Sequence, residues 1–441
     1  MALPDAAAHL DALIDAHDAT VAVMGLGYVG LPLLDAVHGA GFDVIGLDDD
    51  PAKIAQLEAG TNYLPHLGTD LPTRLTASEG ARLTSDPASL ADADIILICV
   101  PTPLDDAHRP DLTYVERAAG AIRDAITGDA RPRLIVLEST THPGTTRDVL
   151  TPIVRAHDDV FVAFSPERED PGRTSHSTRT IPKLVGGIDD ASGALGARFY
   201  EQVVETVVPC ASAEVAEAAK LVENVYRAVN IALVNELKIV LDAMGLDVWD
   251  VLDAASTKPF GFHRFDPGPG FGGHCVPIDP FYLAESARRA GTQARFIELA
   301  GEVNRLMPGY VVDRCETALR EHGETPIAGA RVLVLGLAYK RNVGDVRESP
   351  SFELITLLQQ RGAEVSYHDP FVARTWRGRR HDLQMESASW SEQTLRDTDL
   401  VLVATDHDWY DFAFVGAHAR LIVDTRNAMT GVESAAIVVK A

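Results

Sequence analysis

The chain has 441 residues, of which 46% are hydrophobic, and its formal net charge at pH 7 is -25. This length suffices for two or three domains with sizeable cores, and the hydrophobic content excludes a largely disordered chain. The negative charge excludes nucleic acid and anionic membrane surfaces as partners, because both repel an acidic protein.

The remaining composition predicts a cytoplasmic protein. The four cysteines (Cys99, Cys210, Cys275 and Cys315) form no CxxC pair, which argues against a disulfide framework and against a metal site. The first twenty residues lack a basic flank before an apolar core, so we expect no signal peptide. No run approaches the roughly 20 apolar residues of a membrane helix. Lysine is scarce and acids are abundant, which suggests a halophilic origin because high salt screens the self-repulsion.

The apolar pattern predicts an α/β fold with two Rossmann-like doubly wound domains joined by a helical central domain. Buried parallel strands are expected at residues 21–24, 43–47, 95–100, 134–137 and 160–164. Helical periodicity then dominates from 213 to about 305, including a helix expected over 213–244. Strands are expected again at 331–336, 363–368, 400–404 and 421–424. We therefore divide the chain into domains at 1–208, 209–310 and 311–441.

A glycine motif follows the first expected strand and opens a helix. Its residues Gly25, Gly27, Tyr28, Val29 and Gly30 are expected to contact a dinucleotide, since the glycines allow a tight turn, close approach of the pyrophosphate and close helix packing. A glycine turn without a ligand is the plain alternative, and the strand-turn-helix context argues against it.

An acid at the end of the second expected strand indicates which dinucleotide the protein binds. Asp48 should accept hydrogen bonds from the ribose hydroxyls, and a carboxylate there repels a 2′-phosphate, so we expect NAD and not NADP. Asp49 and Asp50 are adjacent and remain alternatives for this role.

Polar residues follow the later strands, where open α/β sheets bind ligands. The hydroxyls of Thr102, Ser139 and Thr140 suit ribose, phosphate or a catalytic water, with helix capping as the alternative for each. Glu167 could order or deprotonate water and Arg168 could pair with phosphate, although a solvated loop explains the same two residues.

The most informative stretch is residues 268–280, GPGFGGHCVPIDP, which places Cys275 in a glycine-rich loop with Asp279 four residues later. Thiolate chemistry needs an open, polar setting, so the loop suggests an oxidation through a covalent thioester. A small buried structural cysteine is the alternative. Upstream, a long helix carries Lys220 and Asn224 one turn apart on one face, where they could stabilise an oxyanion.

Taken together, these motifs resemble the UDP-glucose/GDP-mannose dehydrogenase family over nearly the whole chain. The segments, in order, are GLGYVG, VPTP, ESTTHPGTT, SPEREDPG, EAAKLVENVYRAVNIALVNE, GPGFGGHCVPIDP, GLAYKRNVGDVRESP and VDTRN. The resemblance implies an enzyme that oxidises the C6 alcohol of a nucleotide sugar to a carboxylate with two NAD per turnover, here supplying surface polysaccharide. FSPEREDPG and the segment from TKPFGF to GGHC are most similar to the UDP-N-acetylglucosamine 6-dehydrogenase branch. UDP-N-acetylmannosamine and UDP-glucose remain alternative substrates.

The resemblance also implies roles for single residues. Cys275 would trap the aldehyde as a thiohemiacetal and then a thioester, Asp279 and Glu167 would handle water, Lys220 and Asn224 would stabilise the oxyanion, and Thr140 would hold a water near C6. The C-terminal domain would bind UDP and the N-terminal domain NAD. The substrate-binding set implied is Glu167, Arg168, Lys220, Asn224, Arg264, Phe271, Gly272, Lys340 and Arg426.

Some readings stay open at this stage. Surface salt bridging is the alternative for Lys340, Arg347 and Arg426. In the family, the segment around Arg264 often reaches a neighbouring subunit's site, which implies a homodimer or a higher homo-oligomer. A two-electron hydroxyacid dehydrogenase would need no Cys275, and a non-catalytic nucleotide-sugar sensor would have no use for a nucleophile.

Overall fold

A computed structural model describes residues 4–64, 67–103, 105, 110–155, 157–168, 178–273, 276–323, 325–375 and 383–441. The chain divides into two compact units. Unit 1 comprises Met1–Glu223 and Phe281–Thr292, and unit 2 comprises Asn224–Pro280 and Gln293–Ala441.

Unit 1 is built on an eight-stranded sheet whose spatial order is β3-β2-β1-β4-β5-β6-β7-β8. All pairs are parallel except β6 with β7. The strands are β1 (Thr20–Met24), β2 (Asp43–Leu47), β3 (Ala81–Thr84), β4 (Ile95–Ile98), β5 (Arg133–Leu137), β6 (Val160–Phe164), β7 (Lys183–Gly187) and β8 (Val207–Pro209).

The helices of unit 1 cover both faces of this sheet. They are α1 (Asp5–Ala16), α2 (Gly30–Gly39), α3 (Pro51–Glu58), α4 (Leu71–Thr76), α5 (Thr113–Ile126), α6 (Thr151–Val154) and α7 (Asp190–Val203), with a 3-10 turn at Pro87–Asp92 and a π turn at Thr146–Leu150. Alternate residues of β1 enter different cores: Val21 and Val23 pack with α1, α2 and α7, whereas Ala22 and Met24 pack with α5. Burial on both faces is why these strands are continuous apolar runs.

Two helices pass from one unit to the other along the chain. They are α8 (Ala213–Ala243) and α10 (Asp279–Arg289). On α8, buried positions recur at helical spacing, and five of them carry polar side chains: Glu217, Lys220, Asn224, Asn235 and Lys238. Polar groups are rarely buried without a hydrogen-bonding or chemical reason, so this face of the helix is a candidate for function.

Unit 2 contains a five-stranded parallel sheet in the order β10-β9-β11-β12-β13. Its strands are β9 (Arg331–Leu335), β10 (Glu364–His368), β11 (Leu400–Val403), β12 (Leu421–Asp424) and β13 (Ile437–Lys440). Its helices are α9 (Val248–Ser256), α11 (Arg295–His322), α12 (Pro350–Gln360), α13 (Glu392–Arg396) and α14 (Phe412–His418). Helix α11 runs without interruption through residue 310, where the sequence analysis places a domain boundary; that three-domain division stays a prediction.

The predicted α/β architecture, with parallel Rossmann-like sheets and a helical middle, is confirmed. Three of the predicted strands end earlier than expected, and one of them, expected over 400–404, ends at Val403. The strand expected to reach residue 100 ends at Ile98, and the one expected to reach 336 ends at Leu335, because Gly336 has a φ of +85° that no extended strand adopts. The short strands β3, β7, β8 and β13 were not predicted, since each has only three to five residues and gives a weak sequence signal. Within the described ranges, no helix combines the length and apolar character needed to cross a membrane.

Candidate active site

The glycine motif forms a tight turn at the carboxyl end of β1. Gly25 has a φ of +90° and its N–H donates to Leu47 O at 2.7 Å. A Cβ at Gly30, where α2 begins, would lie 1.8 Å from Gly25 O, so only glycine permits this approach of helix and turn. A Cβ at Gly27 would meet nothing within 4 Å, which leaves open space in front of the helix N-terminus. The cradle therefore fits a pyrophosphate bound at that N-terminus.

The three neighbouring aspartates after β2 lie in different environments. Asp48 is 3% exposed and accepts from the N–H groups of Leu26 (2.7 Å) and Asp50 (3.0 Å) and from Lys53 Nζ (2.9 Å). Asp50 instead caps α3 by accepting from Ala52 N, and the Asp49 side chain is 83% exposed. A carboxylate has about four acceptor sites, so Asp48 retains capacity for a ribose hydroxyl. Lys53 is a partner that the sequence analysis did not identify.

The hydroxyl residues after β4 and β5 lie at the same edge of the sheet. Ser139 Oγ donates to Val100 O at 2.7 Å and so ties the β5 loop to the β4 loop. Thr102 is 4% exposed, and its carbonyl accepts from Tyr282 Oη at 2.8 Å. Thr140 is half-buried. The carboxyl ends of β1, β4 and β5 are where an open parallel sheet binds its ligand.

The loop after β6 carries Glu167 and Arg168 with different environments. Glu167 Oε2 lies 3.9 Å from Lys220 Nζ, and both side chains are largely buried. Arg168 Nη2 lies 2.5 Å from Glu223 Oε1, and its Nη1 donates to Pro182 O at 2.7 Å. The guanidinium is thus already engaged inside unit 1, so a phosphate would have to compete with Glu223 for it.

In unit 2, Asn224 and Asp279 are brought together by the fold. Asn224 Nδ2 donates to Asp279 Oδ2 at 2.6 Å, and the two residues are 4% and 1% exposed. Cys275, the predicted nucleophile, and His274 lie outside the described residues. The residues that follow them, Val276 and Ile278, are buried. The amide of Asn224 is thereby held beside the first residue of α10, four positions after Cys275.

The glycine-rich loop at 268–273 is anchored on both sides. Gly268 N donates to Asn235 Oδ1 at 2.9 Å, and Gly273 N donates to Arg347 O at 2.9 Å. A Cβ at Gly272 would lie 2.6 Å from Tyr339 Cβ, so glycine is required for this packing. Phe271 is half-buried in the same segment. The anchoring amide of Asn235 is buried in the middle of α8, and its unusual position was the signal available in the sequence.

A cavity of about 370 Å³ opens near the carboxyl edge of the second sheet. Its lining residues are Arg341, Asp406, His407, Asp408, Tyr410, Phe412, Arg426, Asn427 and Ala428. Burial lowers the pKa of the Arg426 guanidinium, which donates through Nε to Ala404 O at 2.8 Å and packs against Gly268. Lys340 is half-buried, and the next residue, Arg341, reaches the cavity. Two arginines in one concave wall suit a diphosphate.

The second sheet repeats the geometry of the first. Gly336 N donates to His368 O at 2.9 Å, and Leu337 N donates to Asp369 Oδ2 at 2.7 Å, as Gly25 and Leu26 do with Leu47 and Asp48. Burial alone would raise the pKa of Asp369, but His407 and backbone amides lower it. The Asp369 carboxylate also accepts hydrogen bonds from Ala338, Phe371, Val372 and His407. Because these donors occupy its acceptor sites, it has less capacity for a ligand than Asp48 has.

Arg264 and Arg347 both pair with acids of their own unit. Arg264 pairs with Asp253 and lies 2.8 Å from Asp266 Oδ1, and Arg347 Nη2 lies 2.6 Å from Asp345 Oδ2. Within the described part of the chain, no group of three or more His, Cys, Asp or Glu side chains is arranged to hold a metal ion.

Sequence reasoning missed Glu217, which is fully buried on α8. Its carboxylate accepts from Gly144 N (2.6 Å), Thr146 N (2.9 Å) and Thr146 Oγ1 (2.7 Å), and so fixes the segment that follows Thr140. Burial raises the pKa of Glu217 to about 7, against the opposing effect of these hydrogen bonds. The sequence did offer one signal for Glu217. It is an acid at a position where the helical period predicts an apolar residue, three residues before Lys220.

Comparisons with known proteins agree with this geometry. The chain matches the NAD binding domain, the central domain and the UDP binding domain of the UDP-glucose/GDP-mannose dehydrogenase family at residues 19–204, 214–306 and 333–431. It is 34% identical to the UDP-N-acetyl-D-mannosamine dehydrogenase of Methanococcus maripaludis, over 88% of this chain and 86% of the relative. It is 33% identical to the NDP-N-acetyl-D-galactosaminuronic acid dehydrogenase of Ralstonia nicotianae, over 95% of this chain and 98% of the relative.

A solved structure shares the fold over nearly the whole length. The UDP-D-ManNAc dehydrogenase of Pyrococcus horikoshii superposes with a TM-score of 0.83 at 29% identity, covering 96% of this chain and 98% of that one. The cradle after β1, the acid after β2 and three matched domains lead to one conclusion. The chain belongs to the UDP-glucose/GDP-mannose dehydrogenase family and is an NAD-dependent nucleotide-sugar dehydrogenase.

Proposed function

We propose that this enzyme oxidises the C6 alcohol of UDP-N-acetylglucosamine to the carboxylate in two steps. The observation that carries the proposal is the buried hydrogen bond between Asn224 and Asp279. Asp279 lies four residues after Cys275 in the chain. A buried carboxylate just after a glycine-rich cysteine loop, bonded to a buried amide, suits covalent acyl chemistry, whereas a simple alcohol oxidation needs neither group.

The cofactor would be held by the turn at Gly25, Gly27 and Gly30, with Asp48 on the ribose. Tyr28, Val29, Thr102, Ser139 and Thr140 would complete its contacts. Bound NAD supplies the hydride acceptor, and two molecules are needed because alcohol to carboxylate is a four-electron oxidation.

The protein's own groups account for the remaining chemistry. The thiolate of Cys275 would add to the C6 aldehyde, giving a thiohemiacetal whose oxidation leaves a thioester. Lys220 and Asn224 would stabilise the negative charge that develops on the C6 oxygen. Glu167 and Asp279 would orient the water that cleaves the thioester, releasing the carboxylate and regenerating the thiol, with Thr140 holding a water near C6.

The UDP end of the substrate would occupy the cavity lined by Arg341 and Arg426. Arginine forks pair with diphosphate oxygens, and Lys340 would add a further positive charge. Phe271 and Gly272 would contact the sugar, together with Arg168 and Arg264. In Arg168 and Arg264 the guanidinium must exchange an internal carboxylate for the substrate, since both are paired in the structure.

UDP-N-acetylmannosamine is the second candidate substrate. Similar proteins from Methanococcus maripaludis and Pyrococcus horikoshii are named for this sugar, and UDP-N-acetylglucosamine differs from it only in configuration at C2. The segment FSPEREDPG supports the glucosamine assignment.

The test is NADH formation by purified protein offered UDP-N-acetylglucosamine, UDP-N-acetylmannosamine and UDP-glucose separately. Two NADH per molecule of the first sugar alone would support the proposal, and turnover of another sugar would reassign the substrate. Cys275→Ser should still bind the UDP-sugar but form no acid. If that variant makes acid at the wild-type rate, the thioester route is wrong; if the folded wild type forms no NADH with any of the sugars, a binding protein is favoured.

We also propose that the enzyme is a homodimer in the cytoplasm. In unit 2, helix α8 exposes an apolar stripe formed by Tyr226, Leu233, Leu237 and Val240, with exposures of 37–52%. These positions recur at intervals of three, four and seven residues, which is the spacing of a helix that packs on a partner. Leu233→Asp should convert a dimer to monomer in sedimentation, whereas Glu236→Ala, an exposed acid on the same helix, should not.

A further inference from the structure

A buried lysine in unit 1 has no role in the reaction described above. Lys183 begins β7, and its side chain is 9% exposed. Its ammonium forms an ion pair with Glu138, donates to Pro166 O at 3.3 Å and lies 5.1 Å from the ring centroid of Tyr200. Tyr200 Oη donates to the other oxygen of the same carboxylate. A buried ion pair is weak evidence for stability, so its presence at this place needs another reason.

The contacts of Lys183 link two neighbouring loops. Glu138 follows the last residue of β5 and directly precedes Ser139 and Thr140. Pro166 follows β6 and directly precedes Glu167. Within unit 1, one ammonium group therefore bonds both loops at the carboxyl edge of the sheet.

The link to Glu167 is short. Consecutive Cα atoms are 3.8 Å apart, so a displacement of the Pro166 carbonyl passes almost directly to Glu167. Glu167 Oε2 lies 3.9 Å from Lys220 Nζ, and Glu138, Glu167 and Lys183 line the same small cavity. The ion pair of Lys183 with Glu138 therefore lies in the wall of the same cavity as Glu167.

We propose that Lys183 is a positioning residue that holds the loops at 138–140 and 165–168 at a fixed separation and thereby keeps Glu167 next to Lys220. This positioning role rests on the proposed function, and it assigns Lys183 to the step in which water cleaves the thioester. Loss of the lysine would let Glu167 drift from the hydrolytic water, while hydride transfer, which needs no water, would continue.

The test compares Lys183→Met, the double variant Lys183→Met/Glu138→Gln and Arg133→Met. Lys183→Met leaves a buried carboxylate without its cation, so it would also lower stability. The double variant removes both charges and should recover most of the thermal midpoint. Arg133 is a fully buried cation at the opposite end of β5, paired with Asp129, and its loss is a matched control for destabilisation away from the loops.

The readout is the progress curve of NADH at high enzyme concentration. We expect the double variant to release two NADH per active site in a burst and then turn over at least tenfold more slowly than wild type, with the KM for the sugar changed less than about threefold. Arg133→Met should show no burst. A double variant with the wild-type steady rate, or a burst in Arg133→Met as well, overturns the proposal. If the wild type forms fewer than two NADH per sugar, the proposed function is wrong. The same assay reports this outcome separately from the behaviour of the variants.

Discussion

The buried carboxylate of Glu217 should make the stability of unit 1 depend on pH. Its pKa is raised by burial from an ordinary 4.5 to about 7. The native state therefore holds this proton more tightly than the unfolded chain does. The stability that this group contributes is fully present below pH 4.5 and is lost as the pH rises through about 7.

The size of the effect follows from the shift. One pKa unit corresponds to 1.36 kcal/mol, so wild type should lose about 3 kcal/mol relative to Glu217→Gln across this range, because glutamine does not titrate. Glutamine also places its NH2 group against a backbone N–H, that of Gly144 or that of Thr146, which costs about 1–3 kcal/mol at every pH. For a unit of this size each kcal/mol moves the thermal midpoint by about 2–4 °C, so the difference between the two proteins should change by roughly 6–12 °C.

The assay is calorimetry of wild type and Glu217→Gln at pH 5, 6, 7 and 8 in one constant high salt. Glu214→Gln, one turn earlier on α8 with a side chain that is 27% exposed, is the control and should give a flat difference over this range. If the midpoint difference for Glu217→Gln is also flat, Glu217 stays ionised in the native state. The hydrogen bonds from Gly144 and Thr146 would then outweigh the effect of burial on the pKa of Glu217, and the prediction would be wrong.

Three further predictions concern the cofactor, the acyl chemistry and the salt requirement. Gly27→Ala should keep the wild-type thermal midpoint but weaken NAD binding at least tenfold by fluorescence titration, because the added Cβ enters only the space for the pyrophosphate; Gly39→Ala, also in open space, is the control for α2. Asn224→Ala removes the amide donor from the buried Asp279 and should lower kcat about 10²- to 10³-fold in steady-state NADH assays, and a loss below about threefold would contradict its role. The thermal midpoint should rise between about 0.1 M and about 2 M salt, because screening relieves the repulsion of a strongly acidic surface; a midpoint that falls with salt would contradict the halophile hypothesis.

Much of the site could be predicted because its signals are local. Gly25 adopts a positive φ that few other residues tolerate, Gly30 allows the close approach of helix and turn, and Asp48 follows them at the end of the next strand. Lys220 and Asn224 share a helix face by their spacing alone. Lys183 and Glu217 were missed because each acts through partners 17 to 73 residues away in sequence, which no local pattern records.

The alternation of strands and helices, the dinucleotide turn and the family follow from local sequence alone, because hydrophobic period and glycine conformation are properties of neighbouring residues. The different environments of the three aspartates after β2 depend on tertiary contacts, since Asp48 accepts from Leu26 N in the interior while the Asp49 side chain is exposed. Tertiary contacts likewise pair Arg168 and Arg264 with acids, and they let Lys183 bond the loops that follow β5 and β6. These outcomes depend on contacts between elements distant in the chain, where burial and charge are set by packing and not by the residue type.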